Sequence, residues 1–179
     1  MEQELTEEQI ERYSRQLVLK NWGGKQQRAL ATTSATVCSS LPSACAYLVS
    51  AGIGELQLVS SGEPSEEVVK FARFLSEQNP AVQVAETSYS SISGKSDWLI
   101  AKQESPLLAN PDLGVLAKVE VRCTAPYSVS LYCAERNLKS VTNIPNFSKT
   151  EPGLILGSLA VKLLLELISD GKTISLCGV

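Results

Sequence analysis

Not one of the 179 residues is a histidine. The side chain that most often acts as general base at neutral pH, and most often ligates a metal, is therefore missing. A Ser-His-Asp triad and a His-based zinc site are excluded by composition alone. Long hydrophobic runs are missing too: no stretch of about 18 apolar residues occurs, so no membrane span is expected. Positive charge is in slight deficit, with 16 Lys and Arg against 19 Asp and Glu. A net charge of −3 gives no sequence-wide field that would draw in nucleic acid or an anionic membrane. The opening Met1-Glu2-Gln3-Glu4 is acidic, the reverse of a signal peptide. Cysteine is present at Cys38, Cys45, Cys123, Cys133 and Cys177, but never as Cys-x-x-Cys. An odd count at wide spacings argues against a disulfide framework or a zinc knuckle. Reduced thiols in the cytoplasm, or in the nucleus of a eukaryote, are the expectation.

What is present is ordinary for a globular chain: 44% hydrophobic and 20% charged residues. The length predicts a single domain over 1–179, with residues 1–30 as an N-terminal helical arm. Thr6, with Gln9 three positions on, reads as a capping box opening a helix that carries Ile10, Tyr13 and Leu17 on one side. Trp22-Gly23-Gly24 breaks it, and a short helix over Lys25–Leu30 follows. Ala35–Ser39 reads as a strand. Pro42 suits the first turn of a helix that continues through Ala44–Ser50 and is ended by Gly52 and Gly54. Glu55–Val59 alternates as a strand does. Ser65 caps an amphipathic helix bearing Val68, Val69, Phe71, Ala72 and Leu75, stopped at Asn79-Pro80. Further strands are expected over Ala81–Ala85, Asp97–Ala101 and Leu116–Thr124, with a Ser-rich linker over Ser88–Ser96. Ser128–Asn137 reads as helical and Val141–Phe147 as an edge strand carrying Pro145. Pro152–Ser169 is a long apolar helix, closed by Asp170-Gly171-Lys172. Strands alternating with helices predict an α/β fold: a mostly parallel, Rossmann-like sheet with helices on both faces.

Several fragments then match one family. Glu11-Arg12-Tyr13-Ser14-Arg15-Gln16-Leu17, followed by Trp22-Gly23-Gly24-Lys25-Gln26-Gln27, resembles the N-terminal "RYxRQ…G…GQ" signature of the ThiF/MoeB/HesA/ubiquitin-activating enzymes. Tyr47-Leu48 through Ala51-Gly52-Ile53-Gly54 and Leu58-Val59 resembles that family's "YL..AGVG.L.LVD". Asn79-Pro80, Cys123-Thr124 and Pro152-Gly153 through Gly157-Ser158 follow in the family's order. The resemblance implies a truncated ThiF/MoeB-type fold, an ancestry in ATP-dependent adenylation of protein C-termini, and a protein partner.

The same alignment implies that the chemistry has gone. Glycines let backbone N–H groups close on phosphates at a helix N-terminus. The family writes this loop as "GxGGLG"; here the place reads Cys38-Ser39-Ser40-Leu41-Pro42-Ser43, with no glycine and one donor removed by Pro42. The acid expected after the second strand is replaced by Ser60-Ser61-Gly62-Glu63; Glu63 is either a substitute ribose contact or a solvated loop acid. The Asn-x-x-Arg-Gln segment is deleted, Glu67 stands where a lysine belongs, and Lys70 reads as a surface residue. For the magnesium-binding Asp two alignments stay open. If Cys123-Thr124 is that motif, Ala125 and Pro126 replace the Asp and Asn. Otherwise Asp97–Ala101 is the strand and Glu104 falls near the place. Phosphoryl and nucleotidyl transfer depend on positioned positive charge and metal. No cofactor, no metal and no catalytic residue are assigned.

Arg15 survives inside an intact signature. The resemblance implies that such an arginine reaches across a dimer into a neighbour's ATP site; the simpler reading is that Arg12 and Arg15 ion-pair locally with Glu8 or Glu11. Arg12, Tyr13, Arg15 and Gln16 are the candidate interface residues. The leading expectation is a pseudoenzyme, not an enzyme on its own, paired with an active homologue in the activation of a ubiquitin-like or sulfur-carrier protein. Two alternatives stand beside it: a homodimeric scaffold for a ubiquitin-like protein, and an adenylating enzyme with a rebuilt ATP site.

Overall fold

The computed structural model describes residues 4–92, 95–110, 113–124, 127–133, 138–144 and 152–169. Its seven strands are β1 (Ser34–Cys38), β2 (Glu55–Ser60), β3 (Gln83–Ser88), β4 (Lys95–Lys102), β5 (Gly114–Arg122), β6 (Tyr127–Cys133) and β7 (Leu138–Ile144). They form one sheet in the order β3-β2-β1-β4-β5-β6-β7. The first five are parallel, and β6 and β7 are antiparallel additions at one edge. The chain is thus the Rossmann-like α/β fold that its alternating elements predict. Its strand order reverses between β1 and β4, the place where folds of this kind receive their ligands.

Among the described residues five α-helices accompany the sheet: α1 (Glu7–Leu17), α2 (Gly24–Ala31), α3 (Pro42–Ala51), α4 (Glu66–Gln78) and α5 (Pro152–Ser169). The local chemistry explains most of their limits. Thr6 accepts from Gln9 N while the Gln9 side chain accepts from Thr6 N, the reciprocal box expected. Ser65 caps α4 by accepting from Val68 N at 3.4 Å. Pro42 occupies the first turn of α3, and Gly52 ends it at φ 88°, a conformation that favours glycine.

The sheet has two unlike faces. Ala117, Val119 and Val121 of β5 are buried, as are Val129 and Leu131 opposite them on β6. This apolar face meets α5, whose Leu156, Ala160, Val161, Leu164 and Ile168 are buried. Helix α5 in turn packs on α3 and α2, and α3 on α4, so the long helices form one layer. Lys118 and Glu120 point to the other face, where Lys118 Nζ donates to Leu108 O at 3.1 Å. That face carries the one-turn 3-10 helix Pro106–Ala109, capped by Ser105.

Two expectations change. The segment read as a helix over Ser128–Asn137 is strand β6 as far as Cys133, and residues 134–137 lie outside the described residues. Its period is two: Val129 and Leu131 are buried, and Ser128, Ser130 and Tyr132 face the other way. Strand β3 begins two residues later than read, because the turn after α4 runs on through Val82 N donating to Asn79 O at 3.0 Å. The edge strand expected over Val141–Phe147 is β7 at the end of the sheet; Pro145, like the Asp170-Gly171-Lys172 stop, lies outside the described residues.

Candidate functional site

Strands β1 and β4 flank the point where the strand order reverses, and their C-terminal ends are bridged by one side chain. Tyr89 follows β3 directly and is held there by its N–H, which donates to Ser60 O at 3.0 Å. Its hydroxyl shares a hydrogen bond with Cys38 Sγ at 3.3 Å, the last residue of β1. Ser105 Oγ, three residues beyond β4, donates to the same hydroxyl at 3.3 Å. Cys38 Sγ also pairs with Ser40 Oγ at 3.1 Å, and Ser60 Oγ donates to Ser39 Oγ at 3.2 Å. The crevice is therefore crossed by a self-satisfied network of hydroxyls and one thiol. Burial, reinforced by the bond to Cys38, raises the Tyr89 pKa, so the bridge is a neutral phenol at neutral pH.

The helix N-terminus beside this network is closed as well. Only Ser39, Ser40 and Leu41 connect β1 to α3, and Leu41 supplies no side-chain cap. Pro42 has no N–H to offer. From the other side comes α5: a Cβ on Gly157 would overlap Ser43 Oγ and lie 3.2 Å from Ala44 N. The Pro152–Ser158 fragment thus brings the backbone of α5 onto the first turn of α3, where a phosphate would need room. A triphosphate needs converging donors and fixed cations there. These residues fit neither a nucleotide nor a nucleotide-bound metal.

The other candidate positions are dispersed. Glu63 is exposed in the loop after β2, and Glu67 is exposed in the first turn of α4. Lys70 pairs with Glu66 at 2.6 Å on the solvent side of α4. Asp97 lies at the opposite end of the sheet, where its Oδ2 accepts from Ser34 N at 2.7 Å and Ser34 Oγ at 2.9 Å. Glu104 is exposed beyond β4. Ala125 and Pro126 lie outside the described residues, as does Cys177. No cluster of three potential metal ligands occurs among the described residues. Cys45 is fully buried in α3, and burial pushes its thiol up to about 12; Cys123 is raised by burial too, against the opposing charge of Lys102. Both are poor thiolates.

The signature residues gather at the opposite end of the sheet, around the C-terminus of α3. Tyr13 is 1% exposed, and its hydroxyl accepts from Asn79 Nδ2 at 2.9 Å. Asn79 Nδ2 also donates to Val49 O at 2.7 Å. Gln16 Nε2 donates to Ser50 O at 3.3 Å, and Arg12 donates to Gln78 O at 3.1 Å. Gln27 is buried between Trp22 Nε1, from which it accepts at 2.9 Å, and Ala51 O, to which it donates at 2.7 Å. Of the four candidate interface residues, Arg12, Tyr13 and Gln16 are thus tied into the chain's own fold. Arg15 remains exposed, with no hydrogen-bond or ion-pair partner among the described residues. The Tyr89 network escaped sequence reasoning, since a tyrosine in a Ser-rich linker carries no local signal of what it will touch.

No protein-family model matches the chain, and no curated protein matches it in sequence. Solved structures do match in fold. The selenomethionine crystal structure of PaaA aligns at a TM-score of 0.68 and 14% identity, covering 99% of this chain and 71% of PaaA. The crystal structure of E. coli MccB with ATP aligns at 0.63 and 12%, covering 89% of this chain and 64% of MccB. That of E. coli MccB with AMPCPP and MccA aligns at 0.62 and 11%, over the same shares. The chain therefore has a ThiF/MoeB-type fold and spans less than two thirds of the length of MccB.

Proposed function

We propose that the chain is a catalytically inactive ThiF/MoeB-like subunit that works by binding protein. Its partner is an active adenylating homologue, or a second copy of itself, in the activation of a ubiquitin-like or sulfur-carrier protein. The observation that carries this reading is the closed reversal point: Tyr89 joins β1 to β4 where a nucleotide would lie. The packing of Gly157 against the first turn of α3 supports it. The E. coli MccB structures, which hold ATP in one case and MccA in another, are of the same fold and make a protein or peptide partner a natural extension. Arg15 is the residue offered to the partner. It projects from a helix whose neighbouring positions are fixed to the core, so its backbone is held in place before any partner arrives.

Calorimetric titration with ATP and magnesium tests the first half of this reading. No saturable heat is expected, and saturation in the micromolar range overturns it. Purification from the native host tests the second half: a full-length family member is expected in the complex. Arg15→Ala is then expected to lower that member's adenylation rate by about a hundredfold or more while leaving the complex intact. An unchanged rate removes Arg15 from the mechanism.

A further inference from the structure

Strand β3 is an edge of the sheet. It pairs with β2 on one side, residue for residue from Gln83 opposite Glu55 to Ser88 opposite Ser60. Successive residues of a strand turn their backbone groups to alternate sides. Gln83 N donates to Gly54 O and Tyr89 N to Ser60 O, each at 3.0 Å, so the odd-numbered residues face β2. Val84 and Glu86 therefore turn their N–H and C=O outward, and neither has a backbone partner there among the described residues. Two residues with open groups, one position apart, match the spacing of an antiparallel ladder.

Exposed edges are commonly blunted by proline, lysine, a bulge or a covering element. Gln83–Ser88 contains no proline and no lysine, and its register with β2 is unbroken. Helix α4 packs on β3 from one face of the sheet, the face that Val84 and Glu86 share with the buried Leu56 and Leu58 opposite them. On the other face Gln83 and Ala85 are exposed, and Ala85 and Thr87 are too small to overhang the edge. The edge closes only at Ser88, which is 3% exposed.

Glu86 is the single charge on this strand. Its side chain is exposed and has no ion-pair partner among the described residues. A second copy of the chain paired here about a twofold axis would set two such carboxylates opposite or diagonal to each other, which destabilises a sheet. A lysine or arginine in the same place is stabilising.

We infer that β3 receives an extended, basic segment of a partner protein as a further, antiparallel strand, with a lysine or arginine across from Glu86. Val84 and Glu86 each exchange two backbone hydrogen bonds with the residue opposite, and the Glu86 carboxylate selects which segments are admitted. The inference gives the protein-binding reading a surface and a chemistry. It stands on the sheet edge and not on the lost nucleotide site, so neither an ATP titration nor the absence of an adenylating homologue from the complex touches it.

A fluorescein-labelled peptide of alternating threonine and valine around one lysine, and a twin with glutamate for the lysine, test it by anisotropy against the full chain. The lysine peptide is expected to saturate with a Kd of about 100 µM, and its twin to bind about tenfold more weakly. Glu86→Lys is expected to reverse that order. Glu86→Gln is expected to abolish the preference while keeping the binding, with an unchanged urea midpoint. Glu86→Pro also removes the outward N–H, a change that an edge strand tolerates, and is expected to weaken both peptides about tenfold relative to Glu86→Gln. Amide exchange at Val84 and Glu86 should slow when the lysine peptide is added. Failure to saturate by about 1 mM overturns the inference. So does a Glu86→Pro chain that binds as tightly as Glu86→Gln, or a wild-type dimer that Glu86→Pro dissolves.

Discussion

A single phenol does at the reversal point what a ligand does in other folds of this type: it connects β1 to β4. Removing only its hydroxyl tests how much that connection contributes. Tyr89→Phe is expected to cost about 1 kcal/mol, the worth of a net hydrogen bond, and Tyr89→Ala about 2–3 kcal/mol through lost packing as well. Urea unfolding measures both. Cys45 supplies a pH dependence. Burial pushes its thiol up to about 12, from 9.0 for the ordinary group. Below pH 9 both states keep the proton and the contribution is intact. As pH rises through that window the unfolded state releases the proton first and is stabilised, so folding weakens by about 1.4 kcal/mol per pH unit. Comparing wild type with Cys45→Ala at pH 8 and pH 10 should show the difference, with the variant less sensitive to alkali. Neither effect is readable in the sequence. Tyr89 meets Cys38 across 51 positions, and the burial of Cys45 depends on which face of α3 the sheet takes.

At the scale of elements, the residues that resemble the adenylating family hold the architecture together. Tyr13, Asn79 and Gly52 form one clasp: Gly52 is close enough that a Cβ there would run into the Tyr13 ring. Gly52→Ala combines that collision with a left-handed backbone and is expected to cost about 3 kcal/mol or more. Asn79→Ala leaves Tyr13 Oη and Val49 O without their donor and is expected to cost about 2–3 kcal/mol. Thermal melts and urea titrations check both, and a loss under about 0.5 kcal/mol for Asn79→Ala would remove the clasp from the account. Helix limits were legible because their causes are local: the Thr6 box, the Ser65 cap, Pro42 and Gly52 each act within four residues. The strand over Tyr127–Cys133 was not, because its apolar residues are too few for one short segment to separate period two from period 3.6. Pairing with β5 decides it.

At the scale of the molecule, the N-terminal region contributes three side chains to the interior. Leu30 and Gln27 are fully buried, Tyr13 nearly so, and α2 packs on α5. Deleting residues 1–31 is therefore expected to prevent cooperative folding, seen as loss of the near-ultraviolet circular dichroism signal and of a urea transition; a truncated chain that unfolds cooperatively would show the region to be detachable. The fold class followed from alternation of elements along the chain. The closure of the reversal point did not, because it needs β3, β1 and the segment after β4 to be brought together first.

Tyr89 is the first residue after β3, and β4 begins at Lys95. The Tyr89 backbone is tied to the end of β2 by the bond to Ser60 O, so the phenol is presented from a fixed base. Rotation about its own side-chain bonds breaks the contacts to Cys38 and Ser105 and leaves the strands paired. Opening the reversal point therefore asks for a change of rotamer and not for unfolding, at the cost of the two hydrogen bonds that the phenol gives up.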